Sequence, residues 1–204
     1  MIERFGILSR TIAKPQNVSC YRTKASYQMN FREKETVNFR DNWGYLRIVT
    51  VCPAFQISTL NLKSTISEFL KTKYFIWNYE GEPTGQNVIV TQENGEKTEY
   101  SNEKFYGFYE TEKLEYIDFK SIDFKTFEKN IKQTILQETN AEFLKKCSQT
   151  LQRFNPNSLF FFLNPPENKI PKIVKDWPIY TYFYAYLIVE LEKNEISLVE
   201  FGLD

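Results

Sequence analysis

The chain contains no histidine. That absence removes the Ser-His-Asp and Cys-His nucleophile systems, His-ligated zinc and non-haem iron, and imidazole acid–base catalysis. Any chemistry is confined to carboxylate, lysine, tyrosine and hydroxyl groups, or to a metal on oxygen ligands. Lys, Asn, Ile, Phe and Tyr are plentiful, as an AT-rich genome gives, and that bias alone accounts for the missing residue. Cysteine is scarce: Cys20, Cys52 and Cys147 are odd in number and far apart. With no CxxC spacing, a zinc or redox motif is disfavoured and buried free thiols are expected. Seven Gly and eight Pro argue against collagen-like or low-complexity sequence.

Phosphate-loop and nucleophile motifs are missing too. There is no GxGxxG, GxxxxGK[ST], GxSxG or calcium-loop pattern, so no cofactor is expected. Long apolar runs are also missing. The longest, near Phe183 to Leu191, is too short for a membrane span of ~20 residues. The opening MIERFGILSR is broken by Glu3, Arg4 and Arg10, where a secretory leader needs an unbroken apolar stretch. A soluble protein with a cytoplasmic location and no membrane partner is expected.

What is present is aromatic. Of 204 residues, 18 are Phe and 13 Tyr, and the aromatic fraction is 17%. Each ring can bury ~150–250 Å², enough for a substantial core. The hydrophobic fraction of 42% and charged fraction of 25% are ordinary for a globular chain. At this length one domain spanning residues 1–204 is expected.

The formal charge is zero, from 26 basic and 26 acidic residues. That balance hides an asymmetry. Residues 1–52 hold nine bases against four acids, leaving +5, and six of the seven Arg. Residues 53–204 hold seventeen bases against twenty-two acids, leaving −5. Within them, residues 80–128 hold twelve acids against five bases, leaving −7.

Periodicity places the elements. Tyr27, Met29 and Phe31 alternate with polar residues, Arg32-Glu33-Lys34-Glu35 interrupts, and Val37 and Phe39 resume; this reads as an antiparallel hairpin. A turn at Asp41-Asn42-Trp43-Gly44 leads to a strand over 45–51, ended by Pro53. Leu62, Ile66, Phe69 and Leu70 keep helical spacing. Residues 74–79 read as a strand. Residues 87–92 and 97–100 flank Asn94-Gly95, the strongest short hairpin signal. Strands are expected at 105–109 and 114–119.

Asp123 can cap a helix carrying Phe124, Phe127, Ile131, Ile135 and Leu136. Thr139 followed by Glu142 resembles a capping box before a second helix with Phe143, Leu144, Cys147, Leu151 and Phe154. Residues 158–163 read as a buried strand, 179–192 as the strongest strand, and 196–201 as its hairpin partner after Lys193-Asn194. The fold class is therefore α+β: a mostly antiparallel twisted sheet with two or three helices packed on one face.

Four features are candidates for function. In the strand at 179–192, Tyr180, Tyr182, Tyr184 and Tyr186 share one face, because strand side chains alternate. They form either an aromatic recognition surface or a second packing layer with hydroxyls reaching water. The opposite face, with Ile179, Phe183, Ala185, Leu187 and Val189, is expected beneath the helices. Glu110 and Glu112, like Glu80 and Glu82, sit two apart, ~6–7 Å if extended. That is near the carboxylate spacing of an inverting glycosidase, but paired Glu on a solvated strand is common. Asp118 and Asp123 are possible oxygen ligands with no metal-loop motif around them.

The basic N-terminal third interleaves Arg10, Lys14, Tyr21, Arg22, Lys24, Tyr27 and Arg32, a pattern suited to nucleic acid. The acidic middle opposes that reading. That acidic middle, with Glu110, Glu112, Glu115, Tyr106 and Tyr109, is either a solvated sheet edge or a surface for a basic protein.

With no catalytic or cofactor motif and little net attraction for a polyanion, the leading expectation is a protein-interaction module. Its expected class is a small cytoplasmic bacterial inhibitor of the immunity-protein kind, blocking a basic toxin or effector. The contact set is Glu110, Glu112, Glu115, Tyr106, Tyr109, Tyr182 and Tyr184, with no catalytic or metal-binding residue. The alternatives are a histidine-independent carboxylate hydrolase and a weak nucleic-acid binder using the basic N-terminal third.

Overall fold

The computed structural model describes residues 28–39, 44–75, 87–91, 97–101, 105–135, 140–170 and 182–203. Strands β1 (Met29–Phe39) and β2 (Gly44–Pro53) precede helix α1 (Leu62–Phe69). Two short antiparallel pairs follow, β3 (Asn87–Thr91) with β4 (Lys97–Ser101), and β5 (Phe105–Tyr106) with β6 (Tyr109–Glu110). Then come β7 (Phe119–Ile122), α2 (Phe124–Ile135), α3 (Ala141–Arg153), β8 (Leu159–Leu163), β9 (Tyr182–Glu190) and β10 (Glu195–Leu203). Six strands form one antiparallel sheet in the order β1-β2-β10-β9-β8-β7. The α+β class with an antiparallel sheet, read from the sequence, is the one observed.

The sheet is covered on both faces. On one, Leu46, Ile48, Val199, Phe201, Tyr186, Ile188 and Phe160 pack with Phe127 and Ile131 of α2 and Phe143, Cys147 and Leu151 of α3. On the other, Val49, Val51, Leu198, Leu187 and Val189 pack with Ile66 and Phe69 of α1, and with Phe75, Tyr106 and Leu114. Two helices thus share one face, while α1 joins the cover of the other. The aliphatic face of β9 is core beneath a helix, as expected, and the helix over it is α1, together with the 105–118 segment, while α2 and α3 cover the tyrosine face. Tyr186 faces α2, its ring 5.2 Å from that of Phe127 and edge-on to it. From Ala185 to Glu190 both faces of β9 are buried, so polarity alone could not rank them.

Several local expectations change. Residues 32–35 do not turn the chain: β1 runs on through them with a bulge between Phe31 and Glu33, paired to β2. Their charges are used along this edge strand. Arg32 pairs with Glu195, Glu33 with Arg153, and Glu35 with Lys146 at 3.2 Å. Charged side chains suit an edge that must not recruit another strand.

The strands expected at 105–109 and 114–119 are two-residue strands and single 3-10 turns, Thr111–Lys113 and Tyr116–Asp118. Gly107 makes the first turn possible. Its φ of +58° is left-handed, and a Cβ there would overlap the Phe183 ring. Residues 74 and 75 are turn rather than strand.

The cap of α3 is Asn140, which accepts from Phe143 N at 2.9 Å; the N-cap is one residue beyond the expected Thr139, and Phe143 at the third helical position cannot close a capping box. Asp123 caps α2 as expected, accepting from Thr126 N at 2.7 Å. Strands β3 and β4 pair as expected, but their Asn94-Gly95 turn lies outside the described residues. So do residues 76–79, Thr139, Tyr180 and Cys20. Cys147 is buried and Cys52 half-buried.

Candidate functional site

Residues 110–118 form a ridge between β6 and β7. Its two 3-10 turns turn Glu112, Glu115 and Ile117 outward, and Ile117 is 67% exposed. Leu114 and Tyr116 point inward and join the α1-side core. The ridge is fixed from below by Asp118, which is 1% exposed. Its carboxylate accepts from Glu115 N at 2.8 Å and from Lys169 Nζ at 2.8 Å. Its carbonyl accepts from Asn164 N at 2.8 Å. Lys169 also donates to the Lys113 carbonyl at 2.9 Å and to Glu115 at 3.2 Å.

One ammonium therefore fastens both turns of the ridge. Partial desolvation would lower the Lys169 pKa, but bonding to Asp118 and Glu115 outweighs it and leaves it raised. The Tyr109 phenol is pushed up by burial and by the nearby Asp118 charge.

The glutamates differ in their commitments. Glu110 pairs with Lys113 at 2.6 Å, and Glu115 pairs with Lys169. Glu112 has no ion pair among the described residues and is exposed. It is the ridge carboxylate most available to an outside cation.

The other residues of the expected contact set lie elsewhere. Tyr106 is wholly buried, its ring centroid 4.1 Å from that of Phe75 and 5.1 Å from that of Phe183. It supports the ridge from within, and a partner cannot touch it. Tyr182 and Tyr184 stand on the α2 side of the sheet. With Phe162, Tyr186, Asn130, Gln133 and Thr134 they line a separate cavity of about 470 Å³. Tyr182 and Tyr184 stack at 5.7 Å, and Phe162 and Tyr186 pack at 5.1 Å with their planes tilted by 31°. Glu110, Glu112, Glu115 and Tyr109 come together on the ridge, whereas the half-buried Tyr182 and the exposed Tyr184 do not join them.

A groove of about 670 Å³ separates the ridge from α1. Glu112 and Glu115 both line it, and both come from the ridge, so it does not set two carboxylates from different elements against each other. Asp118 and Asp123, weighed as metal ligands, are occupied by Lys169 and by the α2 cap. No cluster of potential metal ligands occurs among the described residues. Of the basic residues of the nucleic-acid candidate set, Arg10, Lys14, Arg22, Lys24 and Arg32, only Arg32 is described, and it is paired with Glu195.

A second polar feature escaped the sequence reading. Arg47 of β2 lies directly across from Glu200 of β10, and the two form an ion pair at 1% and 0% exposure. Burial on its own would lower the Arg47 pKa, but the adjoining carboxylate outweighs it, so the guanidinium stays charged. The Tyr106 phenol is pushed well up by burial and then by the Glu200 charge. Neither terminal nitrogen of Arg47 has a hydrogen-bond partner among the described residues. Arg47 and Glu200 sit in strands that read as continuous β sequence, and only their pairing register reveals that they meet.

No protein-family model matches the chain, and no curated protein matches it. Among solved structures, citrus MAF1 is similar over 82% of this chain and 91% of that one, at 10% identity and a TM-score of 0.39. A likeness of that degree carries no functional argument. No helix among the described residues is long and apolar enough to cross a membrane.

Proposed function

We propose that the chain is a protein-interaction module that binds a basic partner through the ridge at 110–118. Its class would be a small cytoplasmic inhibitor of the immunity-protein kind, folded as one domain and acting by covering the partner's functional surface. The inhibitory role is an analogy of class, since fold alone does not give function.

The observation that carries the binding reading is the fixed ridge. A carboxylate with no ion pair among the described residues (Glu112), a highly exposed carboxylate (Glu115) and an exposed aliphatic side chain (Ile117) are held on one short segment by the pair of the buried Asp118 and the half-buried Lys169. Such a surface loses little conformational freedom on binding, and a preorganised contact gives more affinity per unit area. An apolar anchor among acidic neighbours also matches the core-and-rim anatomy of protein interfaces.

The test is a comparative affinity capture from the native host, with wild type and the Glu112→Lys variant as baits and quantitative mass spectrometry as readout. A basic protein retained by wild type and depleted on the variant is expected. Identical retained sets would overturn the proposal.

A further inference from the structure

We infer that the groove between α1 and the ridge is a docking channel for a partner polypeptide segment carrying charges of both signs; this rests on the protein-binding reading above and specifies its ligand. The two walls are opposite in sign. Lys63 and Lys71 stand on the α1 side, Glu112 and Glu115 on the ridge side, and Leu70, Leu114 and Ile117 supply an apolar lining between them.

The walls do not neutralise each other. Lys71 pairs within its own segment, with Glu68 at 2.8 Å, and Glu115 turns to Lys169. Lys63 and Glu112 have no ion pair among the described residues. Two facing rows of opposite charge over an apolar lining set up a field directed across the groove. The occupant that complements this field presents acidic groups to α1 and basic groups to the ridge, with apolar residues between.

Extent favours a polypeptide over a small zwitterion. Lys63 lies in the first turn of α1 and Lys71 just past its end, so the wall runs the length of an eight-residue helix, about 12 Å at 1.5 Å per residue. A single amino acid has one carboxylate and one ammonium, so it can match at most one residue of each row. Charges at such a rim set orientation and association rate more than affinity, while the apolar lining supplies most of the attraction.

The test is a selection of displayed random short peptides on the full chain, followed by affinity measurement against Lys63→Glu and Glu112→Lys. Neither residue has an ion partner to lose among the described residues, so both variants should fold, as circular dichroism will check. The selected peptides should carry both signs around an apolar centre, and each substitution should weaken them by about three- to tenfold. The exchanged double variant Lys63→Glu/Glu112→Lys should recover binding to peptides whose acidic and basic positions are exchanged. Basic-only peptides that respond to Glu112→Lys but not to Lys63→Glu would overturn the channel and leave the acidic ridge standing. Peptides indifferent to both substitutions, or no enrichment over a charge-scrambled control, would overturn both readings.

Discussion

Replacing Lys169 by Met tests whether one ammonium holds the ridge in place. Methionine keeps much of the side-chain length and loses the charge. Three interactions go with it. The bond to Asp118 involves a carboxylate that is 1% exposed, and a hydrogen bond to such a charged group is worth about 1.5–3 kcal/mol. The bond to the Lys113 carbonyl adds about 0.5–1.5 kcal/mol. The contact with Glu115, which is 71% exposed, adds little because solvent screens it. A loss of about 2–4 kcal/mol in urea unfolding is expected, with faster amide exchange across 110–118. The double-mutant cycle with Asp118→Asn should show positive coupling, because each single change strands part of one pair.

The same pair gives a pH signature. The folded Lys169 pKa is raised, so its contribution is complete below the unfolded lysine value near ~10.4 and is lost as pH rises through the folded value. Wild type should lose stability at alkaline pH by more than the Lys169→Met variant does. A cost below about 0.5 kcal/mol, with unchanged exchange in the ridge, would refute the pinning argument.

Two further outcomes concern the core. Removing one member of the buried pair, by Arg47→Met or Glu200→Leu, should cost about 3–5 kcal/mol in chemical denaturation, whereas the double substitution should be near neutral or stabilising; a double variant as unstable as either single would contradict this. Gly107→Ala should cost about 1–3 kcal/mol by thermal unfolding, because a Cβ forces a left-handed residue against the Phe183 ring; an unchanged melting temperature would show that the turn relaxes.

Long periodic elements were legible before the structure. The apolar spacing at 124–135 and 143–154 gave α2 and α3, and the β-rich runs at 45–51, 158–163, 179–192 and 196–201 gave four central strands of the sheet. The failures have local causes. Arg32 to Glu35 read as a break because four charges are rare in a strand, but an edge strand with Arg153, Lys146 and Glu195 within reach satisfies them. The ridge read as strand because Phe, Tyr, Leu and Ile have high β propensity. Gly107 and the Lys169 clamp, set by distant residues, bend it into turns.

The candidate site was legible only as composition. Glu110, Glu112, Glu115 and Tyr109 do converge, since they are neighbours in the chain. Tyr106 carries the same side chain as Tyr109 but points inward, because the turn at Gly107 presses it against Phe75 and Phe183. Tyr182 and Tyr184 lie on the other face of the sheet, a consequence of strand order that no local pattern contains. The positive wall of the groove, Lys63 and Lys71, had no signal beyond helical spacing on α1.

The central claim is that the ridge recognises a basic protein by charge. The most direct measurement is the association rate of the captured partner with wild type and with the Glu110→Lys/Glu112→Lys/Glu115→Lys variant, across a range of salt and with folding verified. Steering by the ridge gives a fall in association rate of about tenfold or more at low salt, narrowing as ionic strength rises, with dissociation much less affected. Equal association rates at low salt would contradict the account.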